Sequence, residues 1–305
     1  MAFSTSVDAM EMRMHWHSFQ LLARPAPRSH LERRQMKAPA PVPLVATVLA
    51  FDFDGTLHDP AGQQPVPAGF FQLIQQLRRD QAMAWGINTG RSLPHLVDGF
   101  AESRFPILPD WVVAREREIY FHSPGGRWLP HDAWNRSCEQ QIHGLFKRLR
   151  RLLDSIRHLV EQSTGAQWLA MDGEPAGIIS RTEEEMEWIV GKLAVLTRDE
   201  PLLGWQRNSV YLRFGHRDFQ KGSSLSAVAR HYSLGPANCF AIGDSHNDLE
   251  MLDPRHAQMA ACPGNALAEV KEHVTSSGGY VAQAVHGAGV IEALRHFFPA
   301  QSNIQ

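Results

Sequence analysis

The stretch that decides the fold is Ala50–Leu57, which reads AFDFDGTL. It follows Leu44–Leu49, a mostly apolar run of strand length. Such a run is typical of a strand that is buried on both faces in a parallel sheet. Because side chains alternate along a strand, Asp52 and Asp54 leave its end on the same side. The sequence therefore predicts two neighbouring carboxylates at the end of a buried strand.

Paired carboxylates at such a place need a counter-charge. Burying an unpaired carboxylate is unfavourable by roughly several kcal/mol, and two like charges side by side repel each other. A divalent cation in front of Asp52 and Asp54 resolves both problems, and hard oxygen ligands suit Mg²⁺. The alternative on this octapeptide alone is a chance Asp-Phe-Asp in a turn.

The composition indicates an ordinary globular protein. The chain has 305 residues, with 43% hydrophobic and 20% charged residues and a net charge of −2. This balance gives no reason to expect nucleic acid or a membrane as a partner, and no apolar run approaches the roughly 20 residues of a membrane-spanning helix. Three scattered cysteines predict a reducing, cytoplasmic location with no disulfide framework. The oligomeric state stays open.

Residues 1–43 differ from the rest of the chain, because they are basic and rich in proline. They lack the apolar core of a signal peptide, and three acids, Asp8, Glu11 and Glu32, argue against a transit peptide. We expect a flexible tail, or sequence upstream of the true start.

Alternating helix and strand patterns follow the first strand. The pattern predicts a helix over about Ala68–Arg79 and a strand over Met83–Ile87, which runs into Thr89-Gly90-Arg91. Ser92 is the expected N-cap of the next helix. Because strand ends in α/β sheets bind ligands and helix N-termini favour phosphate, Thr89 and Gly90 are candidate phosphate-binding residues. Taken alone, Thr-Gly-Arg is equally typical of a structural connector.

The middle of the chain, residues 130–212, has a different pattern and predicts a small α+β layer in the order αββαββ. A long helix is expected first, and Thr182 to Glu185 form a capping box ahead of a second one. The predicted elements are the helix Asn135–Glu161, the strands Gln167–Met171 and Gly177–Ser180 joined at Asp172-Gly173, the helix after Thr182, and the strands Leu202–Gln206 and Val210–Phe214 joined at Arg207–Ser209.

The α/β alternation then resumes. Lys221 and Gly222 stand ahead of a helix that Ser223 or Ser224 is expected to cap. A buried strand over Cys239–Ile242 leads into GDSHND, so carboxylates again follow a strand end. A helical turn there would aim Asp244 and Asp248 at one point. The expected remainder is the strand Met259–Ala261, the helix Ala266–Lys271, the strand Tyr280–Ala282 and the helix Gly289–Phe298.

In this order and spacing the motifs resemble the haloacid dehalogenase (HAD) superfamily of aspartate-nucleophile phosphohydrolases. The resemblance implies a Rossmann-like core over 44–129 and 213–305, with residues 130–212 as an inserted cap domain. The cap pattern and Asn265–Lys271 resemble the subclass of the Cof-type and sucrose-phosphate phosphatases. Within it, Asp110-Trp111, Glu118–Tyr120 and Asp132–Trp134 resemble the sucrose-phosphate phosphatases. Arg115-Glu116-Arg117 departs from that group, which has small residues there.

The resemblance implies a Mg²⁺-dependent phosphatase for a small phosphorylated metabolite, with a sugar phosphate as the expected substrate. Asp52 would be the nucleophile and Asp54 the general acid and base. Further residues would bind the phosphoryl group, namely Thr89, Gly90 and Lys221. Asn247 would orient the loop that carries Asp244 and Asp248. Mg²⁺ would be held by Asp52, the backbone carbonyl of Asp54 and Asp244, with Asp248 as a ligand or as a support behind the ligands.

Two other functions are compatible with the same motifs. One is a phosphohexomutase with the same core and cap. The other is a catalytically idle HAD-like module that binds a partner through its basic tail. The intact set of acids argues against the idle module, because burying these charges is unfavourable in free energy and a protein without catalysis has no reason to keep them.

Overall fold

The computed structural model describes residues 44–169 and 176–299. The predicted tail over 1–43 and the Asp172-Gly173 turn lie outside the described residues. Among the helices that are described, none combines the length and the apolar character that crossing a membrane requires.

An eight-stranded sheet forms the larger layer, in the order β12-β11-β10-β1-β2-β3-β4-β5. The strands from β12 to β3 pair in parallel, whereas β4 and β5 are antiparallel to their neighbours. The predicted α/β class with a mostly parallel sheet is confirmed. The bounds of these strands are β1 Thr47–Phe51, β2 Met83–Asn88, β3 Trp111–Ala114, β4 Glu118–His122, β5 Trp128–Pro130, β10 Cys239–Ile242, β11 Met259–Cys262 and β12 Tyr280–Val281.

Strand β1 is buried on both faces, as its apolar sequence predicts. Leu49 and Phe51 point into the hydrophobic cluster on one face of the sheet, and Val48 and Ala50 point into the cluster on the other. The helices that cover these faces are α1 Ala68–Gln81, α2 Leu93–Glu102, α6 Lys221–His231, α7 Ala268–Ser276 and α8 His286–Phe297. Because β1 lies between β2 and β10, its end is surrounded by two other strand ends.

A second, four-stranded antiparallel sheet has the order β6-β7-β9-β8 and a hydrophobic cluster of its own. Its elements are α3 Asp132–Arg148, α4 Arg150–Ser163, β6 Gln167–Leu169, β7 Gly177–Ile179, α5 Glu183–Leu196, β8 Leu203–Asn208 and β9 Tyr211–His216. We call these elements the small layer. Their division from the core at residues 130 and 212 stays a prediction, and β9 runs past that boundary.

Three local predictions in the small layer need correction. The single helix over Asn135–Glu161 is two helices that meet at Leu149. Leu149 is buried in the cluster of the small layer, so packing, and not a proline or glycine, marks the break. The turn predicted over Arg207–Ser209 is instead formed by Ser209 and Val210, with Ser209 at φ +50°. The capping box is half formed: the Thr182 side chain accepts from the Glu185 amide, while the Glu185 carboxylate accepts from the Arg181 amide instead.

Candidate active site

The carboxyl ends of β1, β2 and β10 meet at one edge of the large sheet. β1 pairs in parallel with both other strands, so the residues that follow them, Asp52, Thr89 and Asp244, lie at that edge. The Asp52 amide continues the ladder by donating to the Ile242 carbonyl at 3.0 Å. Strand ends of this kind form the ligand-binding crevice of α/β sheets.

Three acids form a cluster at this edge. Each of Asp52, Asp244 and Asp248 offers a carboxylate oxygen, and these oxygens all lie within 4.8 Å of one another. Lys221 is fully buried, and its Nζ lies 2.6 Å from Asp52 Oδ1 and 2.6 Å from Asp248 Oδ1. The predicted residues Asp52, Asp244, Asp248 and Lys221 are thus brought together, although they come from three separate segments of the chain.

Both oxygens of Asp248 are engaged by the protein. Oδ1 binds Lys221, and Oδ2 accepts from the backbone amides of Asp244 and Ser245, each at 3.0 Å. The loop forms a short 3₁₀ helix over His246–Asp248 and not the predicted turn starting at Asp244. Asp248 therefore holds the loop that carries Asp244, and both of its carboxylate oxygens have partners within the protein.

Asp244 is oriented by the motif around Gly55. The Thr56 hydroxyl donates to Asp244 Oδ1 at 2.5 Å. Gly55 has φ +84°, and a Cβ at this position would lie 2.7 Å from Asp244 Oδ2. Only glycine combines this backbone conformation with the close approach of the carboxylate. Gly55 and Thr56 of the first motif thus position Asp244 of the last motif.

Asp54 lies outside the cluster formed by the other three acids among the described residues. Its carboxylate accepts from Arg91 Nε at 2.7 Å and from Arg91 Nη2 at 2.6 Å, and His58 Nδ1 is 3.6 Å away. The two carboxylates of the Asp-Phe-Asp motif are therefore in different surroundings. Asp52 faces Lys221 in the interior, and Asp54 faces Arg91 and His58 at the rim.

Burial and charge shift the pKa values of these groups in different directions. Burial raises the pKa of Asp52 well above its usual range, and Lys221 opposes this shift. Burial, with Asp248 beside it, raises the pKa of Asp244 to about 6. Although burial lowers the pKa of Lys221, Asp248 and Asp52 more than offset it, so that the net shift is upward. A cation among these acids would favour their ionised forms.

Lys221 is the first residue of helix α6, whereas the sequence predicts it ahead of the helix. Gln220 is the N-cap, and its side chain and that of Ser223 form a capping box, so neither Ser223 nor Ser224 is the cap. A cation at a helix N-terminus is unfavourable by itself. Here the two carboxylates that contact Lys221 compensate for it, which explains how it is tolerated in full burial.

Thr89, Gly90 and Asn247 line a cavity of about 270 Å³ together with Asp52 and Asp54. The Thr89 hydroxyl oxygen accepts from the Arg91 amide at 3.2 Å. The cavity is also lined by residues of the core and of strands β8 and β9 of the small layer: Arg91, Glu116, Gln206, Arg207, Asn208, Tyr211, Arg213 and Ser245. The small layer therefore contributes to the cavity in front of Asp52.

Arg91 and Glu116 are the main site residues that sequence reasoning missed. Arg91 belongs to the Thr-Gly-Arg motif, whose third residue received no role. Glu116 lies in the segment Arg115–Arg117, which was noted only as a departure from a family pattern. Arg115 and Glu116 both have positive φ, +51° and +63°, a conformation for which small residues are the usual solution. Charged residues in a turn that usually has small residues were the sequence feature that could have marked Glu116 as a site residue.

Comparisons with known proteins agree with this geometry. The family model for haloacid dehalogenase-like hydrolases matches residues 173–294. The solved structure of a sucrose-phosphatase from Synechocystis sp. PCC6803 superimposes with a TM-score of 0.63 at 18% identity, covering 83% of this chain and 98% of that one. The chain has the haloacid dehalogenase-like fold. The resemblance that the motifs predict is confirmed.

Further structures with the haloacid dehalogenase-like fold agree. The haloacid dehalogenase-like protein yhjK from Bacillus subtilis gives a TM-score of 0.59 at 14% identity, covering 84% of this chain and 93% of that one. A protein described as a HAD subclass IIB sugar phosphatase, BT4131, gives a TM-score of 0.57 at 16% identity, covering 82% and 98%.

Curated relatives match over a shorter segment. A phosphoglycolate phosphatase from Methanoculleus marisnigri is 34% identical over 79 residues, which is 26% of this chain and 31% of the relative. A phosphoglycolate phosphatase from Methanothermobacter thermautotrophicus is 39% identical over 77 residues, or 25% and 32%. The matched segment thus spans about a third of the length of these curated relatives.

Proposed function

We propose that the protein is a Mg²⁺-dependent phosphomonoester hydrolase that acts through an aspartyl-phosphate on Asp52, with a sugar phosphate as substrate. The observation that carries the proposal is the placement of Lys221 between Asp52 and Asp248, with Asp244 beside them and Asp54 at the rim of the same cavity. This arrangement supports Asp52 as the nucleophile and Asp54 as the separate group that carries the proton.

The proposed chemistry has two steps. Asp52 attacks phosphorus, a P–O bond to its carboxylate forms, and the bond to the leaving oxygen breaks. Asp54 gives that oxygen its proton and then takes a proton from the water that cleaves the aspartyl-phosphate. Lys221 favours the anionic form of Asp52 and stabilises negative charge on the phosphoryl oxygens, with the Thr89 hydroxyl and the Gly90 amide as further donors.

The residues at the strand ends fit Mg²⁺. Asp52 and Asp244 offer hard carboxylate oxygens close together, while the oxygens of Asp248 are occupied by Lys221 and by backbone amides. In the proposal, Asp52, Asp244 and the Asp54 carbonyl hold the ion, and Asp248 keeps the loop in place. The ion, when bound, neutralises charge on the transferred phosphoryl group.

The charges of the cavity support an uncharged, hydroxyl-bearing leaving group. Each of its three arginines faces a carboxylate: Arg91 binds Asp54, Arg207 binds Glu187, and Arg213 binds Glu116. Gln206, Asn208 and Tyr211 provide amide and hydroxyl groups suited to sugar hydroxyls. A carboxylate such as that of phosphoglycolate, the substrate named for the curated relatives, would compete with these internal pairs.

Phosphate release from a panel of esters tests the proposal. The panel contains sucrose 6-phosphate, hexose phosphates, mannosyl-3-phosphoglycerate, phosphoglycolate, nucleotides and phosphoserine, each with and without Mg²⁺. We expect release from a sugar phosphate that requires Mg²⁺ and is abolished in Asp52→Asn, whereas the exposed Asp98→Asn on α2 retains it. Asp244→Asn should raise the Mg²⁺ concentration needed for half-maximal activity.

Other outcomes reject the proposal or part of it. Preference for phosphoglycolate over every sugar phosphate would overturn the assigned leaving group but not the chemistry. Absence of release from all esters by the folded protein would overturn the phosphatase. Transfer of phosphate between two positions of a hexose phosphate, without release, would instead identify a phosphohexomutase.

A further inference from the structure

Glu116 is a buried carboxylate in the wall of the proposed active site. It sits in the turn between β3 and β4 and is 3% exposed. Its amide donates to the Thr89 carbonyl at 2.8 Å, and its own carbonyl accepts from the Ser224 hydroxyl at 3.2 Å. The backbone of Glu116 is therefore anchored to the loop after β2 and to helix α6, the two elements that carry Thr89 and Lys221.

The two oxygens of the Glu116 side chain bind two different parts of the site. Oε1 accepts from Asn247 Nδ2 at 2.7 Å, and Oε2 accepts from Arg213 Nη2 at 2.6 Å. Asn247 belongs to the aspartate loop, while Arg213 is on β9 of the small layer and also donates to the Arg115 carbonyl. One carboxylate thus links the loop that carries the metal-binding acid to the layer above the cavity.

These contacts determine the orientation of the Asn247 amide. The Ser245 hydroxyl donates to Asn247 Oδ1 at 2.6 Å, so the oxygen end of the amide faces Ser245 and the nitrogen end faces Glu116. Glu116 Oε1 is only 3.6 Å from the place where a Cβ on Gly90 would lie. The NH₂ group is held beside the proposed phosphoryl site, where it has a second N–H to donate.

We propose that Glu116 is a positioning residue: it aims the Asn247 amide at the phosphoryl group and ties that amide to strand β9 through Arg213. The inference rests on the proposed phosphatase function. It gives a role to the charged residue that occupies a turn where the sucrose-phosphate phosphatases have small residues.

Only a carboxylate meets the requirements of this position. Asn247 and Arg213 both donate, so residue 116 must accept on both of its terminal atoms, and an ionised glutamate does. Burial raises the pKa of Glu116, but Arg213 and Lys221 lower it by more, which keeps the side chain ionised. A glutamine accepts on one side only, and its NH₂ group would face either Asn247 or Arg213, donor against donor.

Steady-state kinetics of Glu116→Gln on the two best esters of the panel, chosen with different leaving groups, test the proposal. Because Asn247 is aimed at the phosphoryl group that all esters share, kcat/KM should fall by about tenfold or more, by the same factor for both esters. Inhibition by inorganic phosphate should weaken in parallel. Glu200→Gln is the matched control, since it removes the ion pair of Glu200 with Arg148, at 2.8 Å in the small layer. This control should leave kcat/KM for both esters and the inhibition by phosphate unchanged.

The double variant Glu116→Gln, Arg213→Gln provides the rescue. The new amide carbonyl at position 213 can accept from the new NH₂ group at position 116, which leaves the amide oxygen at position 116 to accept from Asn247. We expect the double variant to recover part of the kcat/KM that is lost in Glu116→Gln. If Glu116→Gln does not fold, the double variant is compared with wild type in its place. A loss confined to one ester would mean that Glu116 shapes the leaving-group pocket, and no loss would mean that it is structural; either result overturns the proposal.

Failure of this inference is distinguishable from failure of the proposed function. If wild-type protein releases phosphate and Asp52→Asn does not, the phosphatase stands whatever Glu116→Gln does. If wild-type protein releases none, the function fails first, before Glu116 is tested.

Discussion

The Arg91 guanidinium binds both carboxylate oxygens of Asp54, at 2.7 Å through Nε and at 2.6 Å through Nη2. Burial raises the pKa of Asp54, but the nearby His58 and the hydrogen bonds from Arg91 outweigh it, so that the net shift is downward. This arrangement holds Asp54 as a carboxylate, the form that a general base needs. In the mechanism that we propose, Asp54 also acts as an acid, which requires that it gain a proton when the substrate weakens its contact with Arg91.

Replacing Arg91 by glutamine should raise the pKa of Asp54, because the charge that favours its ionised form is removed. Carbon NMR of the Asp54 carboxyl group during a pH titration of the Mg²⁺-free protein measures it directly. Arg78→Gln is the control, since Arg78 pairs with Asp110 at 2.7 Å and makes no contact with Asp54. An Asp54 pKa that is equal in wild type and Arg91→Gln would contradict the geometry.

Lys221→Met should destabilise the Mg²⁺-free protein strongly. Lys221 is fully buried between Asp52 and Asp248, so its removal leaves two buried carboxylates without their counter-charge. The free energy of unfolding should fall by about 3–5 kcal/mol, as when one partner of a buried ion pair is deleted. Urea denaturation at neutral pH measures this, and added Mg²⁺ should restore part of the loss.

The control for Lys221→Met is Lys192→Met on helix α5. Lys192 is exposed and lies over the Trp188 ring at 5.3 Å, a contact worth about 0.5–1 kcal/mol. Equal stability changes for the two lysine variants would refute the central role of Lys221 in the acid cluster.

Gly86→Ala should disrupt the contact between β2 and β3. A Cβ at Gly86 would lie 2.2 Å from Cδ2 of Trp111, the residue paired with Gly86 across the two strands. The buried indole has no room to move, so we expect a loss of about 1–3 kcal/mol in the free energy of unfolding, as for other overpacked cores.

Gly144→Ala is the matched control for the β2–β3 contact. It lies within helix α3, where an added Cβ has no heavy atom within 4 Å among the described residues. Alanine is favoured over glycine in a helix by about 1 kcal/mol, so this variant should unfold at higher denaturant concentration than wild type. Similar destabilisation of both variants would contradict the packing around Trp111.

Glu185 should contribute to stability in a pH-dependent way. Its carboxylate accepts from the Arg181 guanidinium and amide and from the Gly165 amide, and these bonds, that of the Arg181 side chain first, lower its pKa to about 2 from 4.5. Because the pKa is lower in the folded state, the contribution is present above pH 4.5 and disappears as the pH falls toward about 2.

The Tm difference between wild type and Glu185→Gln, followed from pH 7 downward, measures that contribution. We expect wild type to be more stable at neutral pH and the two curves to converge in acid. Glu139→Gln at an exposed position of α3 should show no such trend. A Tm difference between wild type and Glu185→Gln that grows as the pH falls would contradict the prediction.

Much of the fold was predictable because burial leaves a local pattern. The apolar run before Asp52 is β1, and the run before Asp244 is β10, the neighbour of β1 in the sheet. Parallel strands bring their carboxyl ends to one edge, so the sequence also predicted that Asp52, Thr89 and Asp244 come together. Helix bounds were less predictable, since packing at Leu149 and the cap at Gln220 have weak local signals.

By itself, then, the sequence determined the α/β class, the buried strands and the acids at their ends, because alternation and apolar runs report which faces avoid water. Only the tertiary structure decided how the charges pair. Arg91 lies 37 positions from Asp54, and Arg213 lies 97 positions from Glu116. A charged side chain has the same local pattern whether it faces solvent or a distant partner. The choice of partner depends on which loops the folded sheets bring within hydrogen-bonding distance, and periodicity does not record that.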